Sequence, residues 1–164
     1  MEERLSGRRL DGGSMTNNVD NGKTSVPLIR KLDCYSLPVD DLDAAIAFYV
    51  GLGHELFWRD GNESAGLRMP DTDAEIVLRT DHRPIETCLA VTSVPEAIER
   101  ITQAGGTLVF GPIEIRIGLY ALLQDPWKNP LAILDFSKGL LATDADGNVI
   151  GNQPTTEDTD KRKN

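Results

Sequence analysis

The stretch VDDLDAAIAFYVGLGHELF, residues 39–57, is echoed by VTSVPEAIERITQAGGTLV, residues 91–109, at a constant offset of 52 with no gap. Identities fall on Val39/Val91, Ala45/Ala97, Ile46/Ile98, Gly53/Gly105 and Leu56/Leu108. An apolar stripe at helical spacing runs through each copy: Leu42, Ala45, Ile46 and Tyr49 in the first, Val94, Ala97, Ile98 and Ile101 in the second. Asp41 and Ser93 stand where an N-cap is needed, and Ser93 and Glu96 have capping-box spacing. Gly53 and Gly105 supply the residue that tolerates positive φ just past a helix end. The chain therefore reads as two copies of one unit, each organised around one helix.

Apolar, β-prone runs surround both helices. KLDCYSLPV precedes the first, and HELFWRD, SAGLRMP and EIVLRT follow it; ETCLAVT precedes the second, and TLVFGPIEI, GLYALLQD and NPLAILDF follow it. Two helices are too few to cover both faces of a large doubly wound sheet, so the predicted class is α+β, a duplicated βαβββ arrangement. The modules are expected at about residues 29–81 and 84–137, within a domain of residues 27–139. Residues 1–26 are polar, rich in Gly, Asn and Ser, and are expected to form a flexible N-terminal tail. Residues 140–164 are expected to form a short hairpin, turning at Asp146-Gly147, and then a polar C-terminal tail. The D-x-D-G string in that turn lacks the other ligands and closing Glu of a calcium loop, so it is not read as one.

The chain has 164 residues and a formal net charge of −9. Most of that charge lies between Pro27 and Phe136, where 17 Asp and Glu face 9 Lys and Arg. An acidic body repels phosphate backbones and attracts cations, which argues against nucleic acid and for a cationic small molecule as partner. No apolar run approaches membrane-spanning length, and the N-terminus has no apolar stretch behind its basic residues, so the expected location is cytoplasmic with no membrane partner. Cys34 and Cys88 are the only cysteines, and each lies in an apolar segment without C-x-x-C spacing. They read as two reduced core thiols.

The run V-x-D-L-x-x-A-x-x-F-Y of residues 39–49 with the following Leu52-Gly53, and D-P-W-x-N-P of residues 125–130, resemble the glyoxalase, bleomycin-resistance and extradiol-dioxygenase superfamily, the vicinal oxygen chelate proteins. The resemblance covers about residues 29–139. It implies two βαβββ modules whose curved sheets enclose a cup, and a homodimer. Metal-using members hold one divalent ion in the cup through His, Glu or Gln side chains.

Carried over position by position, the resemblance puts the ligand of the first strand on Cys34, its counterpart 52 residues later on Glu86, one near the end of the first module close to Leu78, and the last on Ala132. Only Cys34 and Glu86 carry donors, one a soft sulfur and the other a hard oxygen, where a catalytic metal normally takes three protein ligands. The expectation is therefore no metal cofactor, with a divalent metal held by Cys34 and Glu86 as the alternative. A one-residue shift of strand register would bring other side chains inward, with His82, Glu75 and Asp135 the nearest substitutes. Glu86 is the candidate proton carrier; Cys34 would need a base beside it, and nothing in the sequence brings His54 there.

The implied cup is lined or flanked by Trp58, Tyr120 and Trp127, which suit a planar or amphipathic ligand. The expected ligand-binding set is Cys34, Trp58, Glu86, Tyr120, Trp127 and Ala132. The expected function is binding or sequestering a small molecule, aromatic and cationic, in the manner of bleomycin-resistance proteins. The alternative is a metal-dependent lyase or dioxygenase with a displaced ligand set.

Overall fold

The computed structural model describes residues 26–155; the tails expected before and after them lie outside the described residues. The elements are β1 (Ile29–Pro38), α1 (Leu42–Gly51), β2 (Leu56–Asp60), β3 (Ser64–Arg68), β4 (Glu75–Arg79), β5 (Glu86–Val91), α2 (Val94–Gln103), β6 (Thr107–Ile115), β7 (Gly118–Gln124), β8 (Pro130–Leu134), β9 (Leu140–Thr143) and β10 (Val149–Gln153). β1 to β8 form one open mixed sheet in the order β2-β3-β4-β1-β5-β8-β7-β6. Each half is one βαβββ copy, and the halves join where β1 pairs antiparallel with β5. Within the halves β1 pairs parallel with β4, and β5 parallel with β8.

Both helices begin and end as their end residues dictate. Asp41 Oδ1 accepts from Ala44 N at 3.0 Å, and Ser93 Oγ accepts from Glu96 N at 3.4 Å. Glu96 turns along the helix to Arg100, 3.5 Å away, so only one half of the capping box is made. Gly53 and Gly105 follow the helix ends with φ of 95° and 94°, a region costly for any residue with a Cβ.

Alternation along the strands decides what each face carries. Leu42 of α1 packs with Ala65, Leu67 and Leu78, and Val94 and Ala97 of α2 with Ala121, Leu123 and Ile133, all buried on the helix side. Burying a large aliphatic side chain stabilises by about 1.5–3 kcal/mol, so these two clusters fix the helices to the sheet. The neighbours Tyr120, Ala132 and Leu134 on β7 and β8 turn to the other face, where they form a third cluster with Cys34 of β1 and Cys88 and Ala90 of β5. This cluster floors a cup.

The hairpin of β9 and β10 spans the cup's mouth. Arg59 N donates to Gly147 O at 2.9 Å, while Asn152 Nδ2 donates to the carbonyls of Arg116 and Lys138 at 2.8 and 3.1 Å. Arg116 grips Asp60 through two bonds of 2.6 and 2.9 Å, tying the β6–β7 turn to β2 beneath the hairpin. The Asp144 carboxylate closes the hairpin turn by accepting from Asp146 N and Asn148 N, both at 2.9 Å. Among the described residues no helix is long and apolar enough to cross a membrane.

Candidate functional site

The cup is a cavity of 760 Å³. Its floor lies where the two modules meet. Cys34 stands opposite Cys88 and Ser36 opposite Glu86 in the β1–β5 pair, and all four line the cavity. The 52-residue offset converts Cys34 into Glu86 and Ser36 into Cys88, so these two cross-strand pairs exchange under the internal symmetry of the chain. Sequence duplication has thus put two thiols, a hydroxyl and a carboxylate around one pseudo-two-fold axis.

Glu86 is engaged on several sides. Tyr120 donates its hydroxyl to Glu86 Oε1 at 2.8 Å, Arg83 Nη1 lies 3.6 Å from Oε2, and Arg79 Nη2 lies 4.0 Å from it. Burial, and then the bond to Glu86, push the Tyr120 phenol well above its ordinary range, which keeps it a donor. Arg79 is itself buried, and its guanidinium is consumed by structure: Nε donates to Ser36 Oγ at 2.7 Å, and the remaining nitrogens bond Asp81 and the carbonyls of Arg83 and Pro84. Burial opposes the charge of Asp81, but the bonds from Arg79 and Arg83 outweigh it and lower that carboxyl's pKa. The loop from 80 to 85 is therefore pinned to the floor by ion pairs and carbonyl bonds.

The opposite wall is acidic and aromatic. A β-bulge between Leu32 and Cys34 breaks the alternation of β1, so that Asp33 and Cys34, neighbours in sequence, both line the cavity. Glu75 pairs with Cys34 across β1–β4 and accepts from Trp58 Nε1 at 2.7 Å. Burial raises the pKa of both carboxyls; Lys31 opposes this at each, the Trp58 bond opposes it at Glu75, and the charge of Asp33 adds to it there. The lining as a whole carries seven carboxylates and four cationic side chains. Three of those cations are taken up in ion pairs with Asp60, Asp81 and Glu86, leaving Lys31 as the one lining cation to offset Asp33, Glu63, Asp73 and Glu75.

Of the residues singled out from the sequence, Cys34, Trp58, Glu86 and Tyr120 line the cavity. Trp127 does not: it is 80% exposed, held in the β7–β8 turn by Asp125, which accepts from Trp127 N and Asn129 N at 2.9 Å each. Ala132 is a buried member of the floor cluster, beside Cys88, but is not itself part of the cavity lining; the side chains of that segment that reach the cavity are Leu134 and Phe136. Leu78 is fully buried on the helix side; its neighbours Val77 and Arg79 face inward. Of the substitutes, Glu75 is in the cup, whereas His82 is exposed in its loop. Asp135 is buried and accepts from Val94 N, Leu119 N and Ser137 N at 2.9, 3.0 and 3.1 Å, a structural duty. His54 is not part of the lining; its Nδ1 lies 3.0 Å from Arg68 O.

The divalent metal that the fold implies does not fit these residues. Among the described residues, no three His, Cys, Asp or Glu side chains are placed to hold one ion. Two of the four expected positions, Leu78 and Ala132, offer no donor atom. Acidic residues missed as cup-lining, Asp33 above all, had a trace in the sequence only as charges inside an apolar strand; the bulge that turns Asp33 inward had none.

No protein-family model and no curated protein matches the sequence significantly. Solved structures do match in shape. Methylmalonyl-CoA epimerase from Mycobacterium tuberculosis superposes with a TM-score of 0.56 at 21% identity, covering 69% of this chain and 92% of that one. A single-residue variant of the Streptomyces coelicolor methylmalonyl-CoA epimerase gives 0.54 at 18% identity, covering 66% and 96%. A Legionella pneumophila protein described as an NAD-dependent benzaldehyde dehydrogenase gives 0.54 at 16% identity, covering 63% and 98%. Identities this low speak for the fold alone, and what they establish is that this chain shares the duplicated βαβββ fold of these structures.

Proposed function

We propose that the cup binds and sequesters a small organic molecule that is aromatic and carries a positive charge, in the manner of bleomycin-resistance proteins. The observation that carries this reading is the composition of the cavity wall: Trp58, Tyr120 and Phe136 stand beside carboxylates that outnumber their cationic partners. Aromatic faces and uncompensated carboxylates both attract a desolvated cation, and a cavity of 760 Å³ is of the size that takes a drug-like molecule. Glu86, the candidate proton carrier, is engaged by Tyr120, Arg83 and Arg79, which favours a positioning or recognition role over proton transfer. A lyase or dioxygenase built on a displaced metal set would draw on Cys34, Glu75 and Glu86, and these do not converge as a set of ion ligands.

The test is a thermal-shift screen with matched trios of one aromatic scaffold bearing an ammonium, a hydroxyl or a carboxylate, followed by titration calorimetry on the hits. Ammonium members should raise Tm and bind with the highest affinity. A preference for the carboxylate members would overturn the proposal.

A further inference from the structure

Cys34 and Cys88 face each other across the β1–β5 pair, both are buried and unoxidised, and both line the cavity. Directly opposed residues of an antiparallel pair have Cβ atoms about 4.5–5.5 Å apart, so both sulfurs reach a single atom lying between them. Packing alone does not call for sulfur here, since the neighbouring floor positions are filled by Ala90 and Ala132. Among the described residues no third His, Cys, Asp or Glu joins the two thiols, so ions that require three or four protein donors are left unsatisfied. Thiolates select soft ions, copper(I) foremost, and the carboxylate excess of the wall concentrates cations at the floor.

We infer that Cys34 and Cys88 form a two-thiol site for a soft monovalent d10 cation, copper(I) or its analogue silver(I). Binding exchanges protons for the ion: two thiols and one monovalent cation give a bis-thiolate complex of charge −1 and release two protons. This site does not depend on the organic ligand proposed for the cavity above it; either can fail without the other.

Silver(I), which is stable in air, is the probe. The reduced full-length protein is titrated with silver nitrate in excess glutathione, passed through a desalting column and assayed for bound silver, with remaining thiols counted by a chromogenic disulfide reagent under denaturation. The expected result is one silver per chain, both thiols masked, and a raised Tm. Cys34→Ala and Cys88→Ala should each retain silver at least about tenfold less well against glutathione, because one thiol cannot chelate. Circular dichroism establishes that each variant is folded, and Cys34→Ser and Cys88→Ser, which keep the side-chain size, must show the same loss. Two silver ions per chain, retention in the single variants equal to wild type, or no retention in wild type would each overturn the assignment.

Discussion

Trp58 donates its indole N–H to Glu75 Oε2 at 2.7 Å while its ring lies against Gly66 on the adjacent strand. The bond fixes an aromatic face and a carboxylate side by side in the wall of the cavity. Because Trp127 is 80% exposed and outside the cavity, a ligand in the cup should report through Trp58 alone. Trp127→Phe is expected to keep the ligand-induced change in fluorescence and Trp58→Phe to abolish it. The opposite pattern would put the ligand outside the cup.

Gly66 is required by that ring: a Cβ built there would overlap the Trp58 indole. Gly66→Ala is expected to cost about 1–3 kcal/mol, the scale of overpacking, and to weaken binding of the aromatic cation by displacing Trp58. Urea unfolding gives the first quantity and calorimetry the second. An unchanged midpoint with unchanged affinity would contradict the geometry.

Asp135 ties β8 to the start of α2 and to β7 through three backbone N–H groups and the Ser137 hydroxyl. Burial works against its charge, but the bonds from Ser137, Val94 and Leu119 prevail and hold its pKa below the ordinary carboxylate value. Its contribution to stability is thus fully present above the unfolded-state pKa and is lost as pH falls through the lower folded value. Asp135→Asn, which turns an amide N–H₂ toward some of those donors, is expected to destabilise at neutral pH by about 1–3 kcal/mol. The difference from wild type should shrink below about pH 4, the unfolded-state range. Denaturant midpoints across pH 3–7 measure it, and a difference that grows toward acid would reverse the sign argued here.

Ala132 is buried among Cys88, Tyr120 and Leu134 below the cavity. Ala132→Leu is therefore expected to act on stability, by about 1–3 kcal/mol through overpacking, before it acts on binding. Leu134→Ala, which alters a residue of the lining itself, should change ligand affinity. Thermal melts and calorimetry on both variants separate the two; a loss of affinity in Ala132→Leu at unchanged Tm would return Ala132 to the pocket wall.

A two-fold dimer is the expected assembly. Phe48 and Leu52 at the end of α1 are 61% and 63% exposed, and Leu108, Val109 and Phe110 are exposed on the edge strand β6, apolar surface that a second copy would cover. Sedimentation velocity at micromolar concentration should show twice the chain mass, and Val109→Lys or Phe48→Lys should return the species to monomer. A wild-type monomer at that concentration would remove the expectation.

Repetition carried the fold into the sequence. Helix stripes, caps and the 52-residue offset are local signals, readable because each depends on residues a few positions apart, and they place Asp41, Ser93, Gly53 and Gly105 where the structure has them. Part of the cavity lining was legible: Cys34 and Glu86 from the 52-residue offset, Trp58 and Tyr120 from the strands that the resemblance puts around the cup. Strand parity was not. Assigning Leu78 to the cup misses by one residue, and in a strand one residue reverses the face.

By itself, then, the sequence determined two βαβββ units, an acidic body and the residues available at their junction, because periodicity, capping and charge are written in consecutive residues. Tertiary structure alone decided that Cys34 meets Cys88, that a bulge turns Asp33 inward beside it, that Glu75 joins Trp58 in the wall, and that Trp127 stays outside. Those outcomes depend on the register between strands far apart in the chain, which is set by the packing of both sheet faces at once and has no counterpart in local spacing.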